Sequence, residues 1–176
     1  CDDVSEVVES VLEYSKVPVI IDADGINAVA ENMKALSSCT CPVIFTPHTV
    51  EMSRLTGLER EYIEDNRLVT AKEFAEENGV TLILKGHHTI VTGQDGEQYI
   101  NITGNSGLAT GGSGDVLTGI IAGLAAQGIS VQEAALAGVY MHGLAGDLAS
   151  KGIIGMAAGE ISQYLPQARR IIEQGE

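Results

Sequence analysis

The stretch VTLILK, residues 80–85, is a run of apolar and β-branched residues that ends in a lysine. It follows a helical pattern that Gly79 closes, and two similar runs precede it: VPVIID at residues 17–22 and CPVIFT at residues 41–46. Strands that are apolar on both faces are typical of a parallel sheet covered by helices. The sequence therefore predicts an α/β fold in which these three runs are buried parallel strands.

Helical patterns separate the three strands. Apolar residues recur at helical spacing over residues 2–16, 23–36, 50–58 and 59–79, where the second range begins as a loop. We expect Gly57 to end the third helix and the fourth to be one continuous amphipathic helix. Alternating strands and helices of this kind favour a parallel sheet that is covered by helices.

After the third strand, the pattern changes to a hairpin and then to helices. Asp95-Gly96 lies between two alternating segments, residues 88–93 and 97–102, and predicts antiparallel strands at one side of the sheet. Three further helices are predicted. They cover residues 115–128, residues 130–150 with a capping box from Ser130 and Glu133, and a short final segment from Ala157 that is interrupted around Pro166.

Composition excludes several classes of partner. The 176 residues carry a formal net charge of −14, which disfavours nucleic acid and anionic membranes. No apolar run is long enough to span a membrane, and no signal peptide is visible. The three cysteines, at positions 1, 39 and 41, show no disulfide framework and favour a reducing cytoplasm. The Cys39-x-Cys41 pair is either a partial metal site or two ordinary thiols.

Polar side chains follow each of the three predicted parallel strands. They are Asp22 and Asp24, residues 46–51, and residues 85–89. Ligands of open α/β sheets bind beyond the carboxyl ends of the strands, so we expect these groups to converge in one crevice. Single-residue roles stay open at this point: Asp22 and Asp24 hold a metal or cap a helix, and Lys85 neutralises a phosphate or extends to water.

The roles of the histidines within these groups are equally undecided. His48 is either structural or catalytic, and its Thr-Pro prefix fixes an extended turn after the second strand. His87 and His88 follow the third strand and have the spacing of loop or strand-edge residues.

The stretch NSGLATGGSGDVLTG, residues 105–119, has the composition of an anion site. Its glycines allow the backbone to curve around a phosphate, and the following helix presents N–H groups and a positive dipole end. It is not a Walker loop, because no Gly-Lys-Ser/Thr follows. Asp115 is either the N-cap of the helix or a general base that takes a proton from an attacking hydroxyl.

This stretch resembles the signature of the ADP/ATP-dependent NAD(P)H-hydrate dehydratases, a branch of the ribokinase-like superfamily. Three further segments resemble that family in the same order: IDADGIN, TPHTVEMSRLTG and LKGHHTIVT. The resemblance implies a three-layer α/β/α fold and a repair lyase. Such an enzyme transfers phosphate from ADP or ATP to the hydroxyl of (S)-NAD(P)H hydrate and then eliminates it to restore NAD(P)H.

The resemblance also implies roles for individual residues. Asp115 is the expected catalytic residue and, with His48, contacts the hydrated cofactor. The nucleotide segment is expected to comprise Lys85, Gly86, His87, His88, Thr89 and Gly114. Gly112, Ser113 and Gly114 form the expected anion hole, and Asn105 is expected to line the nucleotide site. The implied Mg²⁺ has no assignable protein ligand.

Organisation and partners follow from the same resemblance. We expect residues 1–176 to be a single dehydratase domain that lacks the family's first strands and helices, and a homotetramer. The chain does not begin with Met and starts within a helical pattern, so we expect either a fragment of a longer protein or a processed chain. Two rival functions stay open: a ribokinase-like kinase of a small alcohol, such as a vitamin precursor, and a truncated, non-catalytic nucleotide-binding module.

Overall fold

The computed structural model describes residues 2–150 and 156–175, and the chain divides after Ile100 into two compact units. The elements of the first unit are α1 Asp2–Tyr14, β1 Val19–Ile21, α2 Asp24–Glu31, a 3₁₀ helix Met33–Ser38, β2 Val43–Phe45, α3 Thr49–Thr56, α4 Arg60–Asp65, α5 Arg67–Asn78, β3 Thr81–Leu84, β4 Ile90–Thr92 and β5 Gln98–Ile100. The elements of the second unit are a 3₁₀ helix Ser106–Leu108, α6 Ser113–Ala125, α7 Val131–Ala149 and α8 Ala158–Gln174.

The sheet of the first unit has five strands in the order β1-β2-β3-β4-β5. Strands β1, β2 and β3 are parallel, with Ile20 opposite Ile44 and Phe45 opposite Leu82. Strands β4 and β5 complete an antiparallel hairpin at one side, as the Asp95-Gly96 signal predicts. The mixed α/β organisation expected from the sequence is confirmed.

One apolar core holds the helices of this unit against the sheet. Strand residues Phe45, Leu82 and Leu84 are fully buried, and they pack with helix residues such as Leu12 and Met52. Burying side chains of this size contributes roughly 1.5–3 kcal/mol each, so this core stabilises the packing of the helices on the sheet.

The long helix expected over residues 59–79 is wrong. It is divided into α4 and α5 at Asn66, whose φ and ψ are −126° and 34°. The Asn66 side chain donates to the carbonyl of Tyr62 at 2.9 Å, in competition with the helical hydrogen bonding of the backbone. The break makes Arg67 the first residue of a new helix.

The second unit consists of three long helices that pack on one another around Ala145, Ile161 and Ala168. The capping box of Ser130 and Glu133 at the start of α7 is confirmed. The expected interruption at Pro166 is wrong, because α8 runs continuously through it. Proline removes one backbone donor, and the burial of the neighbouring turns of α8 against α7 offsets that loss.

Two smaller expectations concern membranes and thiols. Within residues 2–150 and 156–175, no helix is both long and apolar enough to cross a bilayer. The Sγ atoms of Cys39 and Cys41 lie 3.2 Å apart as half-buried free thiols, and burial raises the pKa of Cys39. Cys1 lies outside the described residues.

Candidate active site

Lys85 joins the ends of the three parallel strands of the first unit. Its Nζ lies 2.8 Å from Oδ1 of Asp22, which follows β1, and 3.8 Å from Oε2 of Glu51, which lies in α3 after β2. All three side chains are largely buried. One residue from each of the three expected polar groups therefore meets the others at this edge, and the ammonium group is directed at carboxylates rather than extended to water.

Neither aspartate after β1 is the N-cap of α2. That position belongs to Ala23, whose φ is +50° and which provides no side-chain cap. Asp22 instead accepts from the Ala23 amide at 3.0 Å and from Lys85, and Asp24 accepts from Asn27 at 3.3 Å. The capping interpretation of these two residues is wrong, because Ala23 occupies the N-cap position.

His48 is the N-cap of α3. Its Nδ1 accepts from the amides of Val50 and Glu51 at 3.1 and 3.3 Å, while the Glu51 carboxylate accepts from the His48 amide at 2.8 Å. A nitrogen that accepts carries no hydrogen, so the ring proton resides on Nε2, 3.5 Å from the Glu51 carboxylate. His48 thus has a structural role as a helix cap, and its half-exposed ring leaves Nε2 accessible. Its contact with a ligand stays a prediction.

The segment that follows β3 is a short exposed turn. Gly86 has φ +150° and His88 has φ +57°. The rings of His87 and His88 lie 3.9 Å apart, and the Thr89 hydroxyl donates to the Gly86 carbonyl at 3.1 Å. Both histidines are loop residues, as their spacing predicts.

The glycine-rich stretch of the second unit ends at the first turn of α6. Gly112, at φ +87°, is the N-cap residue, and the Ser113 amide donates to the carbonyl of Thr110 at 3.2 Å. Asp115 is therefore the third residue of the helix, and its interpretation as the N-cap is wrong. The Asp115 carboxylate is exposed beside amides whose dipoles favour an anion.

A buried histidine supports this helix start. Nε2 of His142, on α7, lies 3.2 Å from Oγ of Ser113, and both side chains are buried. Burial lowers the pKa of His142 to about 4, against a smaller opposing effect of a hydrogen bond with the Ser113 backbone. The imidazole is therefore neutral near pH 7.

Asn105 is held by a second residue of α7. Its Nδ2 donates to Asp147 at 2.8 Å and to Ser150 at 3.0 Å, and its Oδ1 accepts from the Gly107 amide at 2.8 Å. Asp147 also accepts from the Gly104 amide. These contacts order the chain that leads into the glycine-rich stretch, and contact of Asn105 with a nucleotide stays a prediction.

Sequence reasoning missed three residues: Arg67, His142 and Asp147. The signal for the last two was a histidine and an aspartate inside a helix of alanine, glycine and leucine, where an ionisable group needs a buried partner. Arg67 gave no such signal, because the residues that it contacts lie 17 to 21 positions further along the chain.

Possible metal ligands do not cluster in the part of the chain that the structure describes. In the ranges that the structure covers, no group of three or more histidine, cysteine, aspartate or glutamate side chains is placed to hold an ion.

Comparison with known proteins identifies the family. A profile described as NAD(P)H-hydrate dehydratase matches residues 2–167. The chain belongs to the NAD(P)H-hydrate dehydratase family. Its fold is ribokinase-like, in agreement with the sequence-based expectation.

Two curated members of the NAD(P)H-hydrate dehydratase family show the extent of the similarity. The chain is 44% identical over 171 residues to a bifunctional NAD(P)H-hydrate repair enzyme of Moorella thermoacetica, covering 96% of this chain and 32% of that enzyme. It is 44% identical over 163 residues to an ADP-dependent (S)-NAD(P)H-hydrate dehydratase of Neisseria meningitidis, covering 89% of this chain and 54% of that enzyme.

A solved structure of the family agrees in fold. The ADP/ATP-dependent NAD(P)H-hydrate dehydratase of Bacillus subtilis, co-crystallised with ATP and Mg²⁺, matches with a TM-score of 0.83 and 34% identity. The match covers 97% of this chain and 60% of that one. The chain thus spans less than two thirds of each of these relatives.

Proposed function

We propose that this chain carries out the central step of nicotinamide-nucleotide repair, the ADP- or ATP-dependent dehydration of (S)-NAD(P)H hydrate. The observation that carries the proposal is the exposed Asp115 in the first turn of α6, directly after the glycine-rich turn at Gly112. Membership of the family supports the choice of substrate.

In this proposal Asp115 is the general base. Its carboxylate takes the proton from the hydroxyl of the hydrate as that oxygen attacks the terminal phosphorus of the nucleotide. The new O–P bond forms while the bond to the leaving ADP or AMP oxygen breaks. Phosphate is a far better leaving group than hydroxide, so the lone pair of the ring nitrogen then expels it, and loss of an adjacent proton restores the ring double bond.

The start of α6 stabilises the charge that moves in this step. Gly112, Ser113 and Gly114 are assigned to the anion hole, because the first amides of a helix have no partner within the helix and the dipole adds positive charge. The Ser113 amide is shared with the carbonyl of Thr110 at 3.2 Å. The hydroxyl contact with His142 keeps Ser113 in place. Because the His142 imidazole is neutral, the contact between α6 and α7 buries no positive charge at this position.

The edge of the first unit receives the two ligands in this proposal. His48 contacts the hydrated cofactor through Nε2, the nitrogen that its capping role leaves accessible. The nucleotide lies on the segment of Lys85, Gly86, His87, His88 and Thr89, with Gly114 and Asn105 also assigned to its site. Because Asp22 and Glu51 already balance Lys85, the backbone of this segment provides most of the contact.

Further assignments complete the proposal. Mg²⁺ enters with the nucleotide, whose phosphate oxygens and water supply its coordination shell. Both compact units belong to one ribokinase-like domain, the active form is a homotetramer, and a reducing cytoplasm is its setting.

Product analysis tests the reaction. The chain is incubated with hydrated NADPH, Mg²⁺ and either ADP or ATP, and both inorganic phosphate and the absorbance of the reduced nicotinamide ring are followed. Dehydration predicts equal amounts of phosphate and restored NADPH. A stable phosphate ester would instead identify a kinase, and nucleotide binding without turnover would identify a non-catalytic module.

A further inference from the structure

Arg67 contacts the turn after β3 through several backbone carbonyls. It is the first residue of α5 and is half-buried. Its Nη2 donates to the carbonyls of Leu84 at 3.0 Å and His88 at 3.5 Å, and its Nη1 donates to that of Lys85 at 3.5 Å. One planar guanidinium therefore connects both ends of a five-residue segment, residues 84–88.

The segment between these carbonyls needs such support. His88 has φ +57°, a strained conformation that non-glycine residues rarely adopt. Gly86 has φ +150°, and a Cβ at this position would overlap Nη1 of Arg67. Glycine thus serves twice here, because it permits the backbone angle and leaves room for the guanidinium.

The contact is specific to arginine. The guanidinium has donors in a fixed plane, whereas the ammonium group of lysine is a single point on a flexible stem. Burial lowers the pKa of Arg67 from its usual value, and Glu64 opposes that effect. The group keeps its charge at neutral pH, so its hydrogen bonds to the carbonyls are charge-assisted.

We propose that Arg67 is a positioning residue that holds residues 84–88 in the conformation that binds the adenine nucleotide. This inference rests on the proposed function, which assigns the nucleotide to the same segment. Arg67 acts through the backbone of the turn and does not touch the reacting atoms. Its loss therefore weakens nucleotide binding and leaves the chemical step intact.

Two variants and one matched control test the proposal in the full chain. Arg67→Met removes every donor and keeps an unbranched side chain, while Arg67→Lys keeps the charge. Arg60→Met is the control, because Arg60 is also the first residue of a helix, is exposed and lies on α4. Circular dichroism and thermal unfolding establish that each variant folds.

Two readouts separate positioning from general destabilisation. Amide hydrogen exchange measures the order of residues 84–88 without any ligand. Titration with ADP measures how the order of this segment affects nucleotide binding. The KM for ADP and the kcat of dehydration then show whether turnover is affected as well. We expect Arg67→Met to exchange faster in this segment and to bind ADP roughly tenfold or more weakly, with kcat within about twofold of the parent chain. Arg67→Lys should be intermediate and Arg60→Met unchanged.

Each outcome decides the matter. Unchanged exchange, or faster exchange with unchanged ADP affinity, overturns the role of Arg67. A parent chain that binds ADP without dehydrating the hydrate refutes the proposed function, while the ADP titration still decides the role of Arg67. A parent chain that does not bind ADP overturns both.

Discussion

The hydroxyl oxygen of Ser113 lies 3.2 Å from Nε2 of His142, and both side chains are buried. This contact connects the first residue of α6 to the middle of α7. It therefore fixes the turn in which Asp115 and the amides of the proposed anion hole lie.

Acid should weaken the protein through His142. Its pKa is about 4 in the folded chain and near 6.5 when exposed, so the unfolded state binds the extra proton between these values. The free energy of unfolding therefore falls as pH drops from 6.5 to 4, by about 3 kcal/mol in total from this group. Above pH 6.5 His142 is neutral in both states, so it contributes no pH dependence to the free energy of unfolding.

Urea unfolding across this range, compared with His142→Gln, isolates the effect. The variant cannot titrate at this position but retains a hydrogen-bonding group for Ser113. Its stability should fall less steeply with acid than that of the parent chain, whereas two parallel curves would show that His142 is not buried as described.

Removing the charge of Lys85 should destabilise the first unit. Lys85→Met leaves Asp22 and Glu51 as poorly solvated carboxylates without their cation, at a cost of about 3 kcal/mol. Adding Asp22→Asn should recover part of that loss, and a double-mutant cycle by urea unfolding measures the coupling. Lys72→Met is the control: it breaks the exposed Lys72–Glu76 pair and should change stability little. Equal losses for the two lysines would contradict the account.

The two ends of α6 offer a test of the anion hole. Gly112 and Gly128 flank this helix with φ +87° and +88°, so alanine introduces similar backbone strain at each, about 1 kcal/mol. An added Cβ at Gly112 also comes within 3.2 Å of Ala158, whereas none of the described atoms lies within 4 Å at Gly128. Gly112→Ala should reduce kcat/KM for the nucleotide by roughly tenfold or more, and Gly128→Ala should not. Equal turnover in the two variants would exclude this turn from the reaction.

Much of the fold follows from local patterns, because it depends on them physically. Apolar runs specify β1, β2 and β3, and the Asp95-Gly96 pair specifies the hairpin. The errors at Asn66 and Pro166 have a common cause, since side-chain competition with the backbone and tertiary packing decide whether a helix continues. Neither effect can be read from periodicity alone.

The candidate site also has features that local sequence patterns predict and features that they do not. Convergence of Asp22, Glu51 and Lys85 was predictable, because the carboxyl ends of parallel strands meet at one edge. The pairing of Lys85 with Asp22, 63 residues apart, and the contacts of Arg67 with three carbonyls depend on side-chain reach in the folded chain. No spacing in the sequence encodes them.

The most direct test of the proposed function is the turnover of Asp115→Asn. The parent chain, this variant and the exposed control Asp65→Asn are each given hydrated NADPH, Mg²⁺ and ADP, and recovery of the reduced nicotinamide absorbance is timed. Loss of a general base predicts a rate roughly 10²- to 10⁴-fold lower for Asp115→Asn, with ADP still bound, and an unchanged rate for the control. An Asp115→Asn variant that restores NADPH as fast as the parent chain would contradict the proposed mechanism.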